Sequence, residues 1–148
     1  MLRSLTLAAS AIALAACATP PASTGSGYEA RIIRDAFGVP HIYGKRNADV
    51  AFGLAYAHSE DDWKNIEEVI RSSRGTLAEI VGESGAKSDD FVLALGAAEI
   101  VYRDYDAKVS PTAKALAEGY AAGLNTWCAE HPETTCARTM PVTGKDIV

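Results

Sequence analysis

Apolar and polar residues alternate over residues 28–34 with the two-residue period of a half-buried β-strand. A turn-like segment at 35–38 separates this run from a second short apolar run at 39–43. Pro40 lies in the second run and favours an edge position or the first position of a strand, because proline cannot donate to a sheet ladder. The pattern therefore predicts a β-hairpin.

The spacing then becomes helical. Residues 50–58 are apolar on nearly every face, and residues 63–70 continue with apolar positions on one face and charged positions on the other. Polar residues at 47–49 can cap this run, and Gly75 can end it. The sequence thus predicts one long helix that is buried on most sides in its first half.

Capping signals divide the rest of the chain into further helices. The letters T-L-A-E at 76–79 have the capping-box pattern and predict a short turn that ends at Gly82. The letters S-D-D at 88–90 predict the start of another helix, which Gly96 interrupts. Ser110 followed by Pro111 predicts a last long helix that stops before Pro132.

That last helix carries one apolar stripe at helical spacing, which we expect to be buried: Ala113, Leu116, Tyr120, Leu124 and Trp127. Another cap pattern, T-G-K-D at 143–146, has only two residues after it. Two strands alone are also marginally stable and need a larger sheet. Both observations lead us to expect a truncated product of a larger protein.

The N-terminus has the pattern of an export signal. Residues 1–16 carry one positive charge and then an uncharged apolar run that is too short to span a bilayer. The run ends L-A-A-C, which resembles the bacterial lipobox and predicts lipid attachment at Cys17; an ordinary signal peptide with an incidental Cys17 is the alternative. Residues 17–27 are small and uncharged, which predicts a tether, and residues 28–148 form the domain. Because residue 18 is Ala, we expect the periplasmic face of the outer membrane.

Composition narrows the function classes. The chain has 148 residues, of which 48% are hydrophobic, with 14 basic and 19 acidic side chains and a net charge of −5. This balance is typical of one globular domain and excludes a disordered chain. It also argues against a nucleic-acid partner, because phosphate binding needs a cationic surface.

Two cysteines remain once Cys17 is assigned to lipid. Cys128 and Cys136 form an even pair in an exported chain and predict a disulfide, with two free thiols as the alternative. The sequence contains no C-x-x-C motif, so neither a redox motif nor a zinc site is indicated.

The residues alone indicate no active site. The sequence contains no G-x-S-x-G motif, and adjacent helical residues such as His58 and Ser59 point about 100° apart, so both are expected to be structural. His58 with Asp61 or Asp62 offers at most two ligands on one helix face, which predicts no metal site.

Four segments occur in a recognisable order: R-D-A-F-G-V-P-H-I at 34–42, D-V-A-F-G-L-A-Y-A-H at 49–58, R-G-T-L-A-E at 74–79 and E-G-Y-A-A-G-L-N at 118–125. Together they resemble the opening of the α chain of the penicillin acylase family. The letters S-E-D-D-W at 59–63 depart from that family, in which many members have Q-D-R. The resemblance implies an α+β fold, namely the N-terminal fragment of an αββα N-terminal-nucleophile hydrolase, here a hairpin followed mostly by helices.

The same resemblance implies a function. The implied function is hydrolysis of a non-peptide C–N amide bond by a lipid-anchored amidase or acylase. The amide would be a β-lactam side chain or an N-acyl homoserine lactone. The nucleophile would be the first serine of a β chain, beyond Val148, so no catalytic residue is expected in residues 1–148. No cofactor is expected in this fragment, since family members that bind calcium use residues outside it. The expected partners are the β chain, the rest of the α chain, a small acyl amide and, through the lipid, the membrane; the alternative is a non-catalytic lipid-anchored binding module.

Overall fold

The computed structural model describes residues 27–148 of the protein. The predicted signal peptide, Cys17 and all but the last residue of the tether lie outside these residues. The described part confirms the predicted α+β class, with one hairpin followed mostly by helices. In chain order its elements are β1 (Ala30–Arg34), β2 (Pro40–Gly44), α1 (Asn47–Ser73), α2 (Ala78–Val81), α3 (Glu83–Leu95), α4 (Ala97–Lys108), α5 (Pro111–Glu130) and two 3-10 turns (Cys136–Arg138 and Gly144–Asp146).

The hairpin has the predicted form. Its strands are antiparallel, with Ile32 opposite Ile42. Gly38 lies in the turn at a φ of 83°, a conformation that only glycine adopts without cost. The carboxylate of Asp35 closes the turn by accepting the backbone N–H groups of Phe37 and Val39, at 2.8 and 3.0 Å.

Helix α1 packs directly against the hairpin. A Cβ atom at Gly53 would lie 2.7 Å from the Cβ of Ala30 and 2.8 Å from the Cγ2 of Ile42. Glycine at this position therefore lets the helix backbone approach both strands. The hairpin gains from α1 the apolar support that two strands alone lack.

Helix α1 is kinked, which the sequence pattern did not predict. Asp62 has non-helical backbone angles, φ −158° and ψ 60°, in the middle of the element. Its carboxylate accepts the backbone N–H of Asn65 at 3.4 Å and also bonds to the side-chain amide of that residue. Asp62 is thus the N-cap of the second half of α1.

Helix α5 begins as predicted, with the Ser110 hydroxyl accepting the N–H of Ala113 at 3.2 Å. Its buried face differs from the predicted stripe, because Leu116 is 38% exposed. The contact with α1 is made instead by the backbone at Gly119 and Gly123, where a Cβ would overlap the carbonyl oxygens of Ala48 and Phe52. Glycines therefore bring the two helices close together, whereas Leu116, nearer the start of α5, stays exposed.

The prediction for residues 76–90 is wrong in two respects. No side-chain cap at Thr76 supports α2, and α3 starts at Glu83 rather than near Ser88. The buried carboxylate of Asp89 accepts the backbone N–H groups of Leu77 and Ala78, at 2.7 and 2.8 Å. Asp89, a residue within α3, therefore caps α2. The local sequence pattern instead predicts that it caps the helix in which it lies.

Candidate functional site

Residues 136–147, named the strap here, follow α5 and lie across α1 and α5. Apart from the two 3-10 turns the strap has no regular structure, and helix side chains bond its backbone. The guanidinium of Arg74 donates to the carbonyls of Thr139 and Pro141 at 2.7 and 2.9 Å. The Asn125 amide donates to the carbonyl of Val142 at 2.7 Å and accepts its N–H at 2.9 Å. The position of the strap is therefore set by α1 and α5.

A buried ionic cluster lies where the strap crosses α1. Arg138 donates to both carboxylate oxygens of Glu67 at 2.9 Å, and the Thr139 hydroxyl donates to the same carboxylate at 2.7 Å. Glu67 is only 3% exposed, and the pair with Arg138 lowers its pKa despite the opposing effect of burial. Arg71 completes the cluster: it donates to the Thr139 hydroxyl at 3.0 Å, to the carbonyl of Arg138, and to Glu79 at 2.5 Å.

A second ion pair fixes the end of the strap. Arg74 donates to Asp146 at 2.7 Å, and Asp146 also accepts from the N–H and hydroxyl of Thr143, at 2.8 and 2.9 Å. Burial opposes ionisation of Asp146, but the bonds from Arg74 and Thr143 outweigh it and lower the pKa of the carboxyl. The cap pattern predicted at 143–146 is thus present, and it also serves as an anchor.

An apolar groove of about 650 Å³ lies between the end of α5 and the strap. Its lining is almost entirely apolar: Asn125, Cys128, Ala129, Pro132, Ala137, Met140 and Pro141. The amide of Asn125 is already bonded to Val142, so the groove presents small apolar side chains rather than hydrogen-bonding groups. A disulfide between Cys128 and Cys136 lies beside it.

The residues considered for catalysis have separate structural partners. The buried Ser59 hydroxyl donates to the carbonyl of Ala55 at 2.9 Å, and the exposed His58 lies with its Nδ1 3.0 Å from the Tyr120 hydroxyl. Arg34 on β1 pairs with both Glu60 and Asp61 at 2.9 Å, which fastens the hairpin to α1. In residues 27–148 no group of three or more His, Cys, Asp or Glu side chains could hold a metal ion. None of the helices described there is long and apolar enough to cross a membrane.

Sequence reasoning missed the groups that organise this region. Arg71 and Arg74 lie in a helical run in which basic residues are usually solvated, and Thr139 lies in a segment without periodicity. One usable signal was present, because Arg71 and Arg74 recur one turn apart just before Gly75, with acids at Glu67 and Glu79. The predicted lipid site, Cys17, lies outside the described residues.

Comparison with known proteins places this architecture in context. The family model for penicillin amidase matches residues 29–145. The chain is 31% identical over 118 residues to penicillin G acylase of Escherichia coli, a match that covers 78% of this chain and 14% of that protein. It is 33% identical over 117 residues to the penicillin acylase 2 proenzyme of Pseudomonas sp. strain SE83, covering 76% and 15%. It is 32% identical over 106 residues to the acyl-homoserine lactone acylase QuiP of Pseudomonas aeruginosa, covering 70% and 12%.

The fold is also found among solved structures. A thermostable penicillin G acylase from Alcaligenes faecalis matches with a TM-score of 0.66 and 24% identity, over 80% of this chain and 67% of that one. The chain therefore spans about one seventh of the length of the curated relatives named above, and the part it spans has the same fold as the solved acylase chain.

Proposed function

Because this chain belongs to the penicillin amidase family, we propose that it forms the first part of an acylase that hydrolyses the non-peptide C–N bond of a small acyl amide. The observation that carries the proposal is the family match over residues 29–145, whose motifs all have defined places in the fold. The 34–42 motif forms the hairpin, the 49–58 motif packs on it, and the 118–125 motif supplies the two glycines that meet α1.

In this proposal the catalytic group lies outside the chain. The nucleophile is the hydroxyl of a serine at the amino terminus of a second chain, whose own α-amino group takes the hydroxyl proton as the oxygen attacks the amide carbonyl. The tetrahedral intermediate then expels the amine with that proton, and water hydrolyses the acyl ester. In this proposal residues 28–148 contribute the scaffold that supports the catalytic chain.

The substrate class is a small acyl amide with either a β-lactam nucleus or a homoserine lactone as the amine. Relatives named as penicillin acylases and as acyl-homoserine lactone acylases support both types. The second candidate function is a lipid-anchored binding module without catalysis. It is favoured by the apolar groove beside the strap, which could hold a ligand without any catalytic group.

Activity assays separate these possibilities. The 148-residue chain and the product of the whole reading frame at its locus are incubated with a chromogenic phenylacetyl amide and with an N-acyl homoserine lactone. We expect amine release by the longer product only, together with a new chain that begins with serine. Turnover by the 148-residue chain would contradict the proposal, and ligand binding without turnover by either product would favour the binding module.

We also propose that Cys17 carries lipid and places the protein at the periplasmic face of the outer membrane. The L-A-A-C sequence at 14–17 supports this. Cys17→Ser should abolish labelling by radioactive palmitate and shift the protein out of the membrane fraction, whereas Thr19→Ala should change neither. A Cys17→Ser protein that is cleaved normally and remains with the membrane would exclude lipidation.

A further inference from the structure

The disulfide connects the last turn of α5 to the first residue of the strap. Cys128 lies in α5, and Cys136 opens the first 3-10 turn. Beyond Cys136, side chains of α1 and α5 bond the strap, and Val142 anchors it in the core. Without the disulfide, residues 129–135 would be the only covalent link between α5 and the strap, so the start of the strap would be fixed only by non-covalent contacts.

The two cysteines differ in access. Both cysteines are buried, but Cys128 lines the apolar groove and is 6% exposed, whereas Cys136 does not line it and is 1% exposed. A small thiol that enters the groove therefore meets Cys128 first.

The two sulfurs also differ as leaving groups. The Thr134 hydroxyl lies 2.9 Å from the Sγ of Cys136 and 2.8 Å from the carbonyl of His131. Its single proton serves one acceptor at a time, and a thiolate at Cys136 would be the stronger acceptor. Because thiol–disulfide exchange is faster when the departing thiolate is stabilised, this hydroxyl favours departure of Cys136.

We propose that this disulfide is an asymmetric redox latch on the strap. The thiolate of an external dithiol attacks the Sγ of Cys128, the Cys128–Cys136 bond breaks, and Cys136 leaves as a thiolate. The second thiol of the reductant then attacks the reductant's first sulfur, which is bound to Cys128 in the mixed disulfide, and the Cys128 thiolate leaves. The protein disulfide gains two electrons, the dithiol becomes a disulfide, and the two protons it releases pass to Cys128 and Cys136.

Reduction of the disulfide changes the groove, because the disulfide joins the two walls of the groove. Ala129 and Pro132 belong to α5 and the loop that the disulfide closes, and Met140 and Pro141 belong to the strap. Once Cys136 is free, the start of the strap at Cys136 and Ala137 can move away from α5 and the groove widens there, while Glu67 and Asn125 still hold Arg138 and Val142.

Trapping with a monothiol tests the direction of attack. The full chain is exposed briefly to glutathione, quenched with acid, alkylated and mapped by mass spectrometry. We expect glutathione on Cys128 and the alkyl group on Cys136. Thr134→Val should slow this step about fivefold, whereas Thr135→Val at the exposed neighbouring position should not. Glutathione on Cys136, or equal rates for the two variants, would overturn the asymmetry.

Limited trypsin digestion tests release of the strap. With dithiothreitol, cleavage after Arg138 should accelerate at least about tenfold, because residues 136–138 are no longer tied to α5 and open more often, while cleavage after Lys64 in α1 should not change. A Cys128→Ser, Cys136→Ser double variant should be cleaved rapidly after Arg138 with or without reductant. If reduction exposes both sites equally, or neither, the disulfide does not act on the strap and the proposal is wrong.

Discussion

Glu67 and Arg138 form a bidentate ion pair across 71 positions of the chain, with both N–O distances at 2.9 Å. The carboxylate is almost fully buried, while the guanidinium side chain is 46% exposed. The pair therefore joins a charge that cannot be solvated to one that can. Its effect is to commit the strap to one position on α1, since moving Arg138 would leave Glu67 without its counter-charge.

Replacing Glu67 by Gln should destabilise the protein by about 2–4 kcal/mol, because Arg138 and Thr139 lose a shared anionic acceptor and Arg71 loses a nearby counter-charge. Urea denaturation followed by circular dichroism measures the change. Glu68→Gln, one position along the same helix, removes only a 4.0 Å contact with Lys64 and should cost under about 0.5 kcal/mol. Equal midpoints for the two variants would show that the cluster does not stabilise the fold.

Replacing Asp89 by Ala should cost about 1–3 kcal/mol. The substitution leaves the N–H groups of Leu77 and Ala78 without their acceptor, as in the loss of a helix cap. The neighbouring Asp90 is exposed, and Asp90→Ala should change stability by less than about 0.5 kcal/mol. Hydrogen exchange at residues 77–81 provides a local readout, and unchanged protection there would contradict the capping role.

Gly123→Ala should destabilise the protein even though alanine is the better helix former by about 1 kcal/mol. The added methyl group would overlap the carbonyl of Phe52 and lie 2.8 Å from the Cβ of Ala55, so α1 and α5 would have to separate. Ala115→Gly on the exposed face of α5 measures propensity alone and should cost about 1 kcal/mol. A stabilised Gly123→Ala variant in thermal melts would show that the two helices do not approach as closely as described.

Asp49 should make stability depend on acid pH. The side chain of Arg46, and to a lesser extent the N–H groups of Arg46 and Glu29, lower the pKa of Asp49 to about 2 against the opposing effect of burial. A depressed carboxyl pKa adds stability that is present above the unfolded value of about 4 and is lost as the pH falls toward 2. Urea midpoints at pH 5, 4, 3 and 2 should fall less steeply for Asp49→Asn than for the native protein or for Glu133→Gln. Parallel slopes for all three would contradict this assignment.

Local signals predicted much of the fold. Local signals act within one turn of their own position, and the helix ends marked by Ser110, Gly75 and Gly96 were found where the sequence placed them. The resemblance to the penicillin acylase family, based on four short motifs, is confirmed by the family match.

Features that depend on distant partners were not predictable. The carboxylate of Asp89 caps α2 through the N–H groups of Leu77 and Ala78, which lie 12 and 11 positions earlier. The close approach of α1 at Gly119 and Gly123 likewise depends on a distant backbone. The strap has no periodicity, and its backbone is bonded by side chains from distant elements: Arg71 and Arg74 at the end of α1 and Asn125 of α5. The candidate site consists largely of such contacts, and the sequence indicated two of its features, the Cys128–Cys136 pair and the cap at 143–146.

The kink at Asp62 divides α1 into two straight segments, which are called levers below, and the kink is their joint. The first lever is fixed to the hairpin by Arg34 and Gly53, and the second leads to Glu67, Arg71 and Arg74. The second lever is about 16 Å long at 1.5 Å per residue, so a 20° change at the joint would displace its far end by about 6 Å. The backbone angle at Asp62 therefore contributes to the distance between the strap and the hairpin, although Asp62 contacts neither of them in the hydrogen bonds described above.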